Sequence, residues 1–244
     1  MGLLIRRPLS AGELLDLSSA IATRHLWSLL GLGGLPLAAA VLLDFVLRIL
    51  GSSSDGLEIF VITLAMAGIA ESRMIVGAWQ LLHERPIDPA EARAQVRTRV
   101  LSVVLAYSIK WALVVIGMVF FLVPGVLLLL WWFAVPTVTV LEQRGIRESL
   151  RRSRALARGH MRRLLGTVGV FDLTSMVLSL IVATVYGDSV TGELPVWVEV
   201  ISWVMVALLF PIRATLVAAV YAEIRVREEA YDLEAAAAEL MRMA

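Results

Sequence analysis

Long apolar segments alternate with shorter polar ones along most of the chain. A helix that crosses a lipid bilayer needs roughly 20 predominantly apolar residues. Six segments approach that length, and they are 26–50, 57–82, 98–122, 126–142, 164–187 and 196–222. The fourth is short, and Pro136 interrupts it. The pattern therefore predicts an all-α membrane protein, a single helical domain over residues 1–244 with about six transmembrane helices.

Three short stretches separate the predicted spans in pairs. Glycine and polar residues typical of turns occur in "GSSSDG" at 51–56 and in "YGDSVTGELP" at 186–195. Proline and glycine in "LVPG" at 122–125 indicate a tight reversal there, because both residues interrupt helices. With connections this short, the six spans are expected to form three antiparallel hairpins.

The distribution of arginine and lysine predicts the orientation. Cytoplasmic segments next to membrane helices carry an excess of these residues. If the N-terminus lies in the cytoplasm, the cytoplasmic segments hold 18 of the 22 basic residues, and the three outer turns hold none. We therefore expect both termini to be cytoplasmic.

Each predicted hairpin follows a segment with the features of an amphipathic cytoplasmic interface helix. Ser10 and Glu13 have the spacing of a capping box, and Asp88 precedes Pro89 at a second helix start. The second of these helices is expected to continue without a break into the third span. A cytoplasmic tail helix is expected over 223–244.

Positive charge is concentrated between Arg144 and Arg163, where eight arginines occur in twenty residues. Apolar residues recur there with helical spacing, namely Ile146, Leu150, Ala157, Met161 and Leu164. An apolar stripe beside a basic one is typical of a helix in the membrane interface. The candidate lipid- or partner-binding residues are Arg147, Arg151, Arg152, Arg154, Arg158, Arg162 and Arg163.

These arginines have more than one interpretation. Orientation and anchoring on anionic lipid at the cytoplasmic surface require only their charge. Specific recognition of a lipid headgroup or a partner protein would use the same side chains. Nucleic acid is not expected as a partner, because no aromatic residues interleave with the arginines as a stacking platform would require.

A second set of charges falls inside the predicted spans, where ionisable residues are costly and are candidates for function. Its members are Glu71, Arg73, Lys110, Asp172 and Arg213. Asp172 and either Arg213 or Lys110 are expected counter-charges. The set is either an ion-pair network that fixes helix register or a polar cavity for a small anion, a lipid headgroup or a proton. Asp44 and Arg48, four residues apart, are expected to pair along the first span.

Composition and motifs favour a non-catalytic membrane protein. Hydrophobic residues make up 59% of the chain, against about 45–50% in soluble domains. Without cysteine there is neither a disulfide nor a thiolate site. His83–Glu84 does not begin a zinc-binding HExxH, because Ile87 occupies the second histidine position. No phosphate-binding or dinucleotide-binding loop occurs, so we expect no cofactor, no metal and no enzymatic activity.

Two stretches resemble the membrane-domain family named after glycerophosphoryl diester phosphodiesterase. The first begins at Pro124, "PGVLLLLWWFAVPTVTVLEQRGIRESLRRSRALARGHMRRLLG", and the second is "LFPIRATLVAAVYAEIRVREEAYDLE". Glu223 and Ala230 replace the family's usual aspartate and glycine. The resemblance implies six helices in the cytoplasmic (inner) membrane of a bacterium or archaeon. It implies no catalysis, because a separate soluble barrel domain does the chemistry in members that hydrolyse phosphodiesters.

The sequence thus favours a multi-pass scaffold or accessory subunit. Its basic helix would bind anionic lipid or a partner, and a homo-oligomer or a larger membrane complex is possible. The alternative is a small transporter or channel that uses the charges inside the spans.

Overall fold

The computed structural model describes Ile5, residues 9–49, 57–186 and 196–229. All regular structure in these residues is helical, which confirms the all-α prediction. The α-helices are α1 (Ala11–Arg24), α2 (Leu26–Ile49), α3 (Leu57–Leu82), α4 (Pro89–Thr98), α5 (Val100–Phe120), α6 (Leu122–Trp131), α7 (Val135–Leu141), α8 (Ile146–Ala157), α9 (Met161–Leu164), α10 (Val170–Tyr186) and α11 (Val196–Glu229). A π-helical turn, Leu165–Gly169, joins α9 to α10.

Six helical stretches are long and apolar enough to cross a membrane. They are Leu26–Leu43, Val61–Leu82, Val100–Phe120, Leu122–Leu141, Met161–Val182 and Val200–Glu228. Large apolar side chains are exposed along them, as Phe120 and Leu180 illustrate. These observations confirm the prediction of a multi-pass membrane protein with about six spans.

The reversal between α5 and α6 differs from the prediction. Phe121 has an extended backbone, and "LVPG" forms the first turn of α6, so the prediction that this tetrapeptide is the reversal is wrong. Proline is tolerated in a first turn because its missing N–H would have no partner in the helix there. The helices touch at Gly117 and Gly125, where a Cβ atom on Gly117 would lie 2.9 Å from the Gly125 Cα atom.

The fourth span is a broken helix. α6 ends at Trp131 and α7 begins at Val135, with Pro136 in its first turn. A side chain from α8 satisfies the backbone groups released at the break. The Ser153 hydroxyl donates to the Trp131 carbonyl (3.0 Å) and accepts from the Ala134 N–H (3.1 Å).

Two expected continuous helices are also interrupted. α4 ends before Arg99, whose φ of −129° breaks the predicted continuation into the third span. The bend lets Ala92 and Val96 of α4 join a buried cluster with α2 and α3. The arginine-rich helix stops at Ala157, and Gly159 has a φ of +85°, a backbone conformation that suits glycine.

The protein core forms around α3 and α11. Residues 214–222 of α11 are fully buried, and α1, α7 and α8 pack around the same apolar cluster. The capping box at Ser10 and Glu13 is present. Of the expected tail helix, residues 223–229 are the end of α11, and the rest lies outside the described residues. The side chains of Asp44 and Arg48 also lie outside them.

Candidate functional site

Ionisable side chains from four helices meet inside the bundle. Glu71 lies eleven residues before the end of α3, Lys110 ten residues into α5, and Asp172 eleven residues after Met161, where the fifth span begins. At a rise of 1.5 Å per residue, these three lie about 15–17 Å from helix ends that are predicted to be cytoplasmic. Arg213 of α11 joins them at this level. We call these four residues the intramembrane charge cluster.

Arg213 is the centre of the intramembrane charge cluster. Its Nε donates to Asp172 Oδ1 (2.7 Å) and its Nη2 to Asp172 Oδ2 (3.0 Å), which is the bidentate geometry that arginine and carboxylate favour. Its Nη1 donates to Glu71 Oε1. The guanidinium is buried, so both carboxylates are neutralised largely away from water.

Lys110 completes the charge balance without a direct ion pair. It is fully buried, and its Nζ has no hydrogen-bond partner among the described residues. The ammonium lies 5.3 Å from the centre of the Trp111 ring and 5.9 Å from that of Tyr107. Two positive and two negative groups make the intramembrane charge cluster formally neutral.

Arg73, the fifth charge singled out from the sequence, lies apart from the other four. It is partly exposed, and no described ion pair joins it to Glu71 or Asp172. Its buried Nε lacks a hydrogen-bond partner within the described ranges. Arg73 therefore stays a predicted site residue that the structure does not bring into the intramembrane charge cluster.

A cavity of about 480 Å³ lies between α5, α10 and α11. Mostly apolar side chains form its walls, among them Phe171, Met176, Met205, Leu209 and Phe210. Asp172 and Arg213 line it as well, so the central ion pair borders open space. This volume falls within the range of about 300–1,000 Å³ that is common for small-molecule sites.

The arginine-rich stretch divides into exposed and paired side chains. Ser149, Ser153 and Leu156 form the buried side of α8. The arginines exposed to the surroundings are Arg147, Arg151, Arg154, Arg158 and Arg162. The Arg154 guanidinium stacks over the Trp131 ring at 4.4 Å. Arg152 and Arg163 instead form ion pairs with Glu142 and Glu223.

Those two pairs belong to two further polar groups, one around Glu142 and one around Glu223, which we did not predict from the sequence. Glu142 accepts hydrogen bonds from Tyr221 Oη (2.7 Å), Arg144 Nε (2.6 Å) and Arg152 Nε (3.2 Å). Glu223 pairs with Arg163 (3.0 Å) and Arg227. Several of these residues occur in the two stretches that carry the family resemblance. That resemblance was the available signal, but it did not show which residues touch.

Glu142 directly follows the last residue of the fourth span, and its hydrogen-bond partners change the pKa of its carboxyl group. Burial would raise the pKa of its carboxyl group, but hydrogen bonds from Tyr221 and Arg152, with the charge of Arg152, more than offset that. The pKa therefore lies below its ordinary value. A carboxyl group with a lowered folded-state pKa stabilises the fold above the unfolded-state pKa, and this contribution is lost as pH falls.

We expect Glu142→Gln to lower the free energy of unfolding by about 1.5–3 kcal/mol near neutral pH, because hydrogen bonds to a charged group are lost. The difference from wild type should shrink as pH falls below about 4.5, the ordinary value of this group. Thermal unfolding in detergent across a pH series measures it. Asp16→Asn, at an exposed carboxylate of α1, is the control and should show no such gap.

The described residues hold no candidate metal site, and comparison with known proteins assigns no family to the chain. Within residues 9–49, 57–186 and 196–229, no three His, Cys, Asp or Glu side chains come together as metal ligands would. Comparison of the chain with protein-family models, curated proteins and solved structures finds no match. The resemblance to the glycerophosphoryl diester phosphodiesterase membrane domain stays a prediction from the sequence.

Proposed function

We propose that the chain is a non-catalytic membrane protein that binds anionic lipid headgroups through the exposed arginines of α8 and the turn after it. The six spans would form three hairpins with both termini in the cytoplasm. The bias of arginine and lysine toward the predicted cytoplasmic segments supports this orientation. A scaffold or accessory subunit of the inner membrane is the role that fits best.

The observation that carries the proposal is the segregation of side chains around α8. Ser149, Ser153 and Leu156 pack inward against the spans, while Arg147 and Arg151 point away from the core. Among the described residues, no ion pair uses the charge of Arg147 or Arg151. Arginine next to a membrane surface gains about 1 kcal/mol from anionic lipid, so this face is suited to headgroups.

Trp131 supports a position near the lipid headgroups. Tryptophan is enriched at membrane–water interfaces, and the Arg154 guanidinium lies over this ring. The stacked pair would hold α8 at the level where lipid phosphates are found. A partner protein with an acidic surface could use the same face.

Removing three charges from this face is expected to reduce the preference for anionic lipid. The variant Arg147→Gln, Arg151→Gln, Arg158→Gln should lose several-fold, up to about a hundred-fold, in relative affinity for phosphatidylglycerol over phosphatidylcholine. Spin-labelled lipids in reconstituted vesicles measure this as the motionally restricted fraction.

The matched control removes the same number of charges from other exposed positions, with Arg24, Arg93 and Arg97 changed to glutamine. Because these arginines also lie in predicted cytoplasmic interface segments, this control loses the general attraction of charge for anionic lipid. Its lipid preference should therefore fall, but by less than in the variant of Arg147, Arg151 and Arg158. Raising the salt concentration should narrow the difference in lipid preference between wild type and the variant of Arg147, Arg151 and Arg158, because exposed charges are screened. Equal lipid preference in wild type and both variants would contradict lipid binding by this face.

A second candidate function is transport through the intramembrane charge cluster. The observation that favours it is the cavity that borders Asp172 and Arg213, because ionisable groups beside a cavity mark ion and proton pathways in membrane proteins. Lys110 adds a buried titratable group at the same level. This candidate predicts that flux depends on Glu71 and Asp172.

A further inference from the structure

The cavity between α5, α10 and α11 is elongated and has a polar and an apolar end. Its lining runs from Asp172 to Val182 on α10 and from Arg213 back to Ser202 on α11. Ten or eleven residues of helix correspond to about 15–16 Å. That is about half of the roughly 30 Å hydrocarbon core, the depth of one lipid leaflet.

The walls of the cavity match hydrocarbon rather than water. Met176, Leu209 and Phe210 contribute apolar surface. The hydroxyl groups of Ser175, Ser179 and Ser202 donate to carbonyls within their own helices, so they do not offer these protons to a ligand.

Lipid can reach this space from the side. Leu180 and Ile181 on α10 and Val204 and Leu208 on α11 are exposed apolar residues next to the lining positions. Met176 and Met205 line the cavity and are themselves partly exposed, so a molecule already dissolved in the bilayer meets apolar side chains at the cavity. A water-soluble solute would have to pass the same apolar side chains.

The polar end is rich in hydrogen-bond donors. Arginine has five N–H donors, and the bonds to Asp172 and Glu71 use three of them. Two remain that these carboxylates do not occupy, on a side chain that lines the cavity. The ammonium of Lys110 lies behind the Tyr107 and Trp111 rings, which also form the wall. A ligand that accepts hydrogen bonds fits this end.

From these features we infer that the cavity binds the acyl group of a long-chain fatty acid or fatty acyl ester taken from the bilayer. The carbonyl or carboxylate oxygen accepts from Arg213, and the chain extends between α10 and α11 toward Val182 and Ser202. The oxygen atoms of the acyl group then lie near the middle of the bilayer, about 15–17 Å from the predicted cytoplasmic helix ends, and its chain lies in the outer half. The inference names a ligand for the cavity of the transport candidate, but binding does not require flux.

The experiment uses the full chain in phosphatidylcholine vesicles and a fatty acid with a diazirine near the end of its chain. After illumination, mass spectrometry should find adducts within residues 171–182 and 202–213. Ser179→Trp, which fills the cavity, should reduce labelling at least about ten-fold. Leu180→Trp, one residue away on the lipid-facing side, is the matched control and should label like wild type. Ser202→Trp and Ile201→Trp repeat the comparison from the opposite wall, in case Ser179→Trp does not fold.

Competition identifies the headgroup chemistry. Unlabelled fatty acid, its methyl ester or both should displace the probe, and whichever competes better identifies the source of the acyl group. An alkane of equal length should compete about ten-fold more weakly, because it forms no hydrogen bond with Arg213. Equal competition by the alkane would overturn the assignment of the polar end.

Two other results would overturn the inference altogether. One is equal labelling of Ser179→Trp, Leu180→Trp and wild type, or an equal loss in both variants. The other is a second copy of the chain in the cavity, seen as a Ser179→Cys disulfide dimer that fatty acid does not suppress; the chain has no native cysteine to confuse this result. The labelling is measured without an ion gradient, so its failure is distinguishable from an absence of transport.

Discussion

Arg213→Gln is expected to destabilise the protein more than any other single change considered, by about 3–5 kcal/mol. The substitution leaves Asp172 and Glu71 buried without their shared guanidinium, and the four-residue intramembrane charge cluster changes from neutral to a net charge of −1. For a chain of this length, such a loss corresponds to a fall in Tm of roughly 6–20 °C. Thermal unfolding in detergent, followed by circular dichroism, measures it.

A compensated variant separates lost charge balance from lost packing. Arg213→Gln combined with Asp172→Asn removes one positive and one negative charge, so Glu71 and Lys110 keep the intramembrane charge cluster formally neutral. It should recover most of the loss, because replacing a buried ion pair costs far less than removing one partner. Arg93→Gln, at an exposed arginine of α4, should leave Tm unchanged. A Tm of Arg213→Gln equal to that of wild type would show that the ion pairs contribute no stability.

The number of spans could be predicted from the sequence because bilayer thickness imposes it locally. Each span needs its own run of apolar residues, and no distant contact can remove that requirement. The breaks inside helices were harder to predict. Pro136 indicated an interruption of the fourth span, but it lies in the first turn of α7, after the break. The compensating hydroxyl comes from Ser153, whose proximity only the folded chain provides.

Charge pairing was predictable in kind but only partly in detail. The cost of isolated charges in a membrane identified Asp172 and Arg213 as candidates for pairing. That Glu71 shares the same guanidinium while Lys110 lies against aromatic rings depends on how four helices pack. Glu142 and Tyr221 are 79 residues apart, and nothing local to either one indicates their hydrogen bond.

The cavity also changes the interpretation of the intramembrane charges. From the sequence, an ion-pair network and a polar cavity were alternatives. In the structure the bidentate pair of Arg213 and Asp172 is itself part of a cavity wall. The same residues can therefore fix helix register and contact a ligand, and only substitutions that preserve packing can separate the two roles.

For the transport candidate, neutralising one carboxylate at a time separates a role in helix packing from a role in proton conduction. Under this candidate, the protein in vesicles with a trapped pH-sensitive dye should conduct protons when a potassium diffusion potential is imposed. Glu71→Gln and Asp172→Asn should each reduce the proton flux to the level of protein-free vesicles. Each variant leaves the intramembrane charge cluster with a net charge of +1, but Arg213 keeps its other carboxylate and the new amide can still accept a hydrogen bond. Tm should therefore fall, but by less than in Arg213→Gln, which deprives both carboxylates of their partner.

The control is Glu148→Gln, which changes an exposed carboxylate on α8. The proton flux of this variant should equal that of wild type. Wild-type flux equal to that of protein-free vesicles would contradict proton transport. The intramembrane charge cluster would then hold the helices together without conducting protons. Loss of flux together with failure of Glu71→Gln and Asp172→Asn to assemble would support the structural role as well. Loss of flux in well-folded variants supports transport, because the remaining difference is one ionisable group beside the cavity.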